Sequence, residues 1–297
     1  MSAVHSAAAL ELIRLTPLME RTTGRPEVQV ALIDGPVAMS HPELEIQHIR
    51  EVSGIRPGAC ALADSAACMH GTFVAGILSA KRGSTAPAIA PDCTLLVRPI
   101  FSETPPLNGQ MPSAAPQELA EAIVDCVKAG ARVLNLSAAL AGPSSNGERE
   151  LILALDFAAS RGAVTVAAAG NQGTLGSSAI TRHPWVIPVG ACDMRGKPIG
   201  ESNLGSSIGR RGLIAPGQNI TSLSTNGRSR VFGGTSAAAP FVTGTIALLW
   251  SEFPEASAAE VKSALILAGG ARRRTVVPPV LDAAAASRTL AASRAGR

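Results

Sequence analysis

Six short apolar runs recur along this chain: VQVALI (28–33), TLLVRPI (94–100), ARVLNLS (131–137), AVTVAAA (163–169), WVIPVGA (185–191) and GLIAP (212–216). Helical patterns separate several of them, including a segment that starts at His70 (HGTFVAGILSA), QELAEAIVDCVKAG and GERELILALDFAASRG. Near-continuous apolar strands that alternate with helices predict a parallel sheet covered on both faces. The expected fold is therefore α/β, a central, mostly parallel twisted sheet flanked by helices in a single domain over residues 25–285. Residues 1–24 read as a helical extension with an amphipathic stretch over 6–20. Residues 286–297 read as a poorly ordered Ala/Ser/Arg-rich tail. Two further helices, TSAAAPFVTGTIALLWSEF and SAAEVKSALILAG, precede that tail.

In sheets of this kind, ligands bind beyond the carboxyl ends of the strands. Asp34 ends the first run in ALIDGP, Ser137 ends the third, and Asn171 follows the fourth, so three polar side chains gather on one sheet edge. An Asp-Gly-Pro read alone is a turn as readily as a functional carboxylate. Its company is what raises the second reading.

Composition removes several classes. At 46% hydrophobic residues over 297 positions the chain can bury a large core, yet no run of about 18 apolar residues could cross a membrane. Net charge is +4, with no basic stripe interleaved with aromatics and no tyrosine, which argues against nucleic acid as a partner. Five cysteines (Cys60, Cys68, Cys93, Cys126, Cys192) show neither CxxC nor paired spacing, so reduced thiols are expected rather than a disulfide or a zinc site. Cys68 stands two residues before His70, but nothing positions it as a nucleophile. The first residues lack the apolar core of a secretory signal, and with unpaired thiols this predicts a cytoplasmic protein.

Three more segments carry polar residues suited to chemistry. In HGTFVAG, His70 is expected to open a helix of small residues. In GGTSAAAPFVTG, Thr235 is expected to N-cap a helix, with Ser236 at its start and Pro240 near its first turn. A serine there faces free backbone N–H groups and the positive end of the helix dipole. In AAAGNQG, a glycine turn presents the Asn171 amide outward.

Together these segments resemble the subtilisin-like serine peptidases, whose triad runs in the chain order Asp, His, Ser. The resemblance spans roughly residues 25–285. It implies Asp34 as acid, His70 as base, Ser236 as nucleophile, and Asn171 with the Ser236 N–H as oxyanion donors. It further implies a substrate cleft lined by Ser137, Ala138 and Ala139 opposite Ala168, Ala169 and Gly170, with Asn108 and Gly109 as an edge strand for extended substrate. Ala139 stands where the family often has glycine. The loop at 80–91 offers Lys81, Arg82 and prolines instead of the oxygen ligands of the family's calcium site, so no metal or other cofactor is expected.

The short stretch before Asp34, and Gly35-Pro36 in place of the commoner Ser/Thr-Gly, resemble the maturation proteases of cyanobactin-type peptide clusters. That likeness implies a precursor peptide with a recognition sequence as the partner, and no membrane. The interval between Asp34 and His70 is too short for the helical cap of the macrocyclising members, which favours hydrolysis over ring closure. A general degradative subtilase and a non-catalytic peptide-binding relative remain as alternatives.

Overall fold

The computed structural model describes residues 2–44, 48–103, 113–137, 147–268 and 275–295. Among the described residues there are nine strands: β1 Gln29–Asp34, β2 Ile49–Glu51, β3 Thr94–Pro99, β4 Val133–Leu136, β5 Val164–Ala168, β6 Val186–Cys192, β7 Leu213–Pro216, β8 Ile220–Leu223 and β9 Ser229–Phe232. The helices are α1 Ser2–Leu12, α2 Thr16–Arg21, α3 Ala66–Ser79, α4 Pro116–Lys128, α5 Glu148–Ser160, α6 Ala179–Arg182, α7 Ser206–Arg211, α8 Thr235–Glu252, α9 Ala258–Ala268 and α10 Ala283–Ala295. The first seven strands form one sheet in the order β2-β3-β1-β4-β5-β6-β7, parallel at every junction.

Alternation along β1 shows why such strands are apolar throughout. Val30 and Leu32 face a core built with Phe73, Ile77, Phe241 and Leu248 of α3 and α8. Ala31 and Ile33 face a second core with Ile123 of α4 and Leu155 of α5. Both faces are dry, so neither parity of residue can be polar. Because β1 lies between β3 and β4, the strand order reverses around it. That reversal opens the crevice at the carboxyl end where Asp34 sits.

The amino-terminal pattern forms two helices rather than one. Arg14 adopts a left-handed backbone (φ 52°) and Pro17 opens α2, and together they break the helix. Ile13, Leu15 and Leu18 at this corner are wholly buried, so the extension seals the core. The expected disordered tail is instead α10. Its Ala286 and Leu290, one turn apart, bury one face against the same core, which repays the ordering of an otherwise polar, small-residue segment. Arg272, Arg273 and Arg274 lie outside the described residues.

The antiparallel pair β8–β9 was not anticipated, although Asn226-Gly227, with Gly227 at φ 75°, is a hairpin turn signal between them. His183, in the loop after α6, is buried, with Nε2 3.1 Å from Asp156 Oδ1.

The largest correction concerns the thiols. Cys60 and Cys68 form a disulfide across a Cα–Cα distance of 5.6 Å. Ser65 N-caps α3 by accepting from Cys68 N–H at 3.1 Å, which turns the first helical turn back towards the incoming loop. Glu103 braces that loop by accepting from Ala61 N–H and Leu62 N–H, both at 2.9 Å. A spacing of eight residues thus pairs without any motif, and the thiol half of the argument for a cytoplasmic setting falls away. Cys93, Cys126 and Cys192 are free and buried, and burial pushes their thiols up to about 11, 12 and 12. Cys60→Ser is expected to lower stability by about 2–3 kcal/mol, the entropy of so short a loop. Chemical denaturation under oxidising and reducing conditions checks it: the gap between wild type and variant should close on reduction.

Candidate active site

Asp34 ends β1 wholly buried, and its Oδ1 accepts from Gly35 N–H at 2.6 Å. His70 lies in the second turn of α3, whose first turn sits directly against the Asp34 loop. That approach depends on two glycines. A Cβ on Gly35 would overlap the Ala67 carbonyl oxygen, and one on Gly71 would overlap the carbonyl oxygens of Gly35 and Pro36. With no side chain on either, backbone meets backbone and His70 Nδ1 comes 2.7 Å from Asp34 Oδ1. Asp34 Oδ2 has no hydrogen-bond partner among the described residues, and Pro36, just beyond Gly35, has no N–H to offer.

His70 Nε2 lies 2.9 Å from Ser236 Oγ. Burial pulls the imidazole pKa down, and the Asp34 charge and hydrogen bond more than offset it, so the pKa stands above the usual histidine value. The carboxylate also selects the tautomer: with its proton on Nδ1, His70 presents a bare Nε2 lone pair to the serine hydroxyl.

Ser236 is the second residue of α8, whose N-cap is Gly234 at φ 101° rather than Thr235. Thr235 has another use. Its N–H and Oγ1 donate to Asn171 Oδ1 at 2.8 and 3.0 Å, while Oγ1 accepts from Gly170 N–H at 3.1 Å. The Asn171 carbonyl oxygen is thereby tied back to the start of α8, and Nδ2 is left to donate elsewhere. Ala237 and Ala238 N–H both bond to the Gly234 carbonyl, whereas Ser236 N–H meets no acceptor among the described residues. Ser236 N–H and Asn171 Nδ2 thus both lack a partner among the described residues, and Ser236 stands at the positive end of an 18-residue helix. Pro240 falls inside α8, past its first turn, and removes the N–H that would have bonded to the Ser236 carbonyl.

The loop carrying Asn171 is held by Asn203, which the sequence reading missed. Its Oδ1 accepts from Gln172 N–H and Thr174 N–H, and its Nδ2 donates to the Ala169 carbonyl at 3.2 Å. Ala168 and Ala169 are buried at the end of β5, and Gly170 turns at φ 105°. Ser137 directly follows β4, its Oγ accepting from Asn135 Nδ2 at 2.8 Å, while Asn135 Oδ1 accepts from Thr243 of α8. β4, β5 and α8 are thus locked around the site. Ala138, Ala139, Asn108 and Gly109 lie outside the described residues. In the 80–91 loop the Arg82 guanidinium donates to the carbonyls of Met19, Thr22 and Ile89.

Residues 25–280 match the Subtilase family. Subtilisin amylosacchariticus from Bacillus subtilis subsp. amylosacchariticus is 31% identical over 243 residues, 80% of this chain and 59% of that protein, so this chain spans about three fifths of its length. The protease domain of PatA superposes with a TM-score of 0.80 at 30% identity, over 91% of this chain and 97% of that one. The Prenylagaramide maturation protease PagA gives the same TM-score at 28% identity, over 93% and 98%. With its sheet, its Asp-His-Ser order and these relatives in agreement, the chain belongs to the subtilase family.

Proposed function

We propose that this chain is a serine endopeptidase that cuts a ribosomally made precursor peptide during its maturation. The observation that carries the reading is the unbroken relay from buried Asp34 through His70 to Ser236, at 2.7 and 2.9 Å, beside an Asn171 amide whose oxygen is already tied down.

In the proposed reaction Ser236 Oγ attacks the peptide carbonyl while His70 Nε2 takes its proton. Asp34 keeps the imidazole in register and stabilises its positive charge without itself being protonated. The carbonyl oxygen becomes an oxyanion held by Asn171 Nδ2 and Ser236 N–H, donors fixed before the charge develops. His70 then returns the proton to the departing amine, and a water repeats the cycle on the acyl-enzyme.

The maturation reading is supported by likeness to the protease domain of PatA and to PagA, the second of them called a maturation protease. Hydrolysis is the outcome proposed; no residue is assigned to ring closure. Mass spectrometry of products from a peptide library and from casein, with Ser236→Ala as control, tests it. Few cuts after one recurring sequence are expected. Many unrelated cuts in casein would replace this reading with general degradation.

A further inference from the structure

We propose that Arg230 is a specificity-determining residue that selects substrates carrying a carboxylate among the first three residues after the cut bond. The inference rests on the peptidase reading above and adds the chemistry of the leaving half.

The relay fixes where that half must lie. The acyl half stays on Ser236 beside Asn171, while the amine departs over His70, which protonates it. Side chains crowding His70 from the β8–β9 side therefore border the departing segment. Phe232 is one of them, its ring 6.3 Å from the imidazole and wedged edge-on against Phe73 at 5.0 Å. Met69, the residue before His70 on α3, is reached from the same strand.

Arg230 covers both. It stands two residues before Phe232 on the same face of β9, opposite buried Ser222. Its guanidinium carbon lies 4.6 Å over the Phe232 ring, and Nη1 points to Met69 Sδ at 2.8 Å. A thioether is a weak acceptor and an aromatic face takes no hydrogen bond along the guanidinium plane. Most of the five N–H donors are thus left open at their edges. Other arginines in the molecule spend theirs on carboxylates: Arg21 on Glu252, Arg98 on Asp125, Arg182 on Glu148. No carboxylate among the described residues pairs with Arg230. A half-buried cation, flattened on an aromatic ring beside the catalytic histidine, is arranged to receive a carboxylate in the fork geometry that guanidinium favours. The two spans from imidazole to guanidinium, laid end to end, match about three residues of extended chain at roughly 3.3 Å each.

The test uses matched peptides, identical before the bond, with Glu or Gln at each of the first three positions after it. Fluorophosphonate labelling of the same enzyme confirms that the site is active. At one of these positions the wild type is expected to prefer Glu by about tenfold in kcat/KM, the order of one charge-assisted hydrogen bond, and the preference should shrink with salt. Arg230→Gln should bring the ratio to near one, and R230E should invert it and favour Lys. A stacking role alone would slow Glu and Gln peptides equally and leave the ratio untouched. Wild type that is labelled and cuts, yet treats Glu and Gln alike at all three positions, overturns this inference alone. Wild type that neither labels nor cuts any peptide overturns the peptidase reading with it.

Discussion

Asp34→Asn is expected to lower kcat by about 10⁴ while leaving the fold intact, the loss known for this replacement in the chymotrypsin triad. The amide is nearly isosteric, so the buried site can accept it, but it carries no charge, and with its NH₂ turned to Nδ1 it offers that N–H no acceptor. His70 then favours the other tautomer and presents an N–H, not a lone pair, to Ser236. The pH profile separates this account from simple damage. His70 must be neutral to act as base, so kcat/KM should rise with pH through its pKa and then level off. Because the Asp34 charge holds that pKa above the usual value, the rising limb of the wild type should lie above about 6.5. In Asp34→Asn, burial remains without the opposing charge, and the limb should move to lower pH. A variant that loses rate with its limb in place would show that Asp34 does not govern the imidazole.

Gly71→Ala is expected to lower kcat/KM by about 10² or more, although no atom of Gly71 takes part in the reaction. The added methyl would overlap the Gly35 and Pro36 carbonyl oxygens, both backbone, so α3 and the Asp34 loop must move apart. A displacement near 1 Å breaks a relay built on contacts of 2.7 and 2.9 Å, and misplacement on that scale costs about 10² in rate. Overpacking of this sort also costs about 1–3 kcal/mol of stability. Gly176→Ala serves as control, since a Cβ there meets nothing within 4 Å. Comparing kcat/KM and Tm for the two variants checks the claim. Full activity in Gly71→Ala would mean that the helix and the loop are not held by this contact.

Strands β1 and β3 to β7 were legible because a doubly covered parallel strand admits almost only apolar residues. The site was legible because its residue types are unusual where they stand: a carboxylate closing an apolar strand, a serine at a helix start, an amide after glycine. What escaped was set by tertiary contact. His70 reads as the opener of a helix of small residues, yet Ser65 starts α3 five residues earlier by capping Cys68. Thr235 has the chemistry of an N-cap, but its hydroxyl is claimed by Asn171 across the cleft. Cys60 and Cys68 meet through a loop that the Ser65 cap and Glu103 hold in place, contacts that no local motif announces. Helix α10 looks like solvated tail until Ala286 and Leu290 are seen to have a surface waiting for them. Gly35 and Gly71, 36 positions apart, gain their meaning only from facing each other.

In the proposed chemistry Ser236 is a nucleophile activated by His70 and Asp34. Reaction of the folded protein with a fluorophosphonate, followed by peptide mapping, tests it most directly. The account predicts a single label on Ser236, lost on unfolding and strongly slowed in Asp34→Asn. Folded protein that takes up no label, or takes it up at another serine, would contradict it.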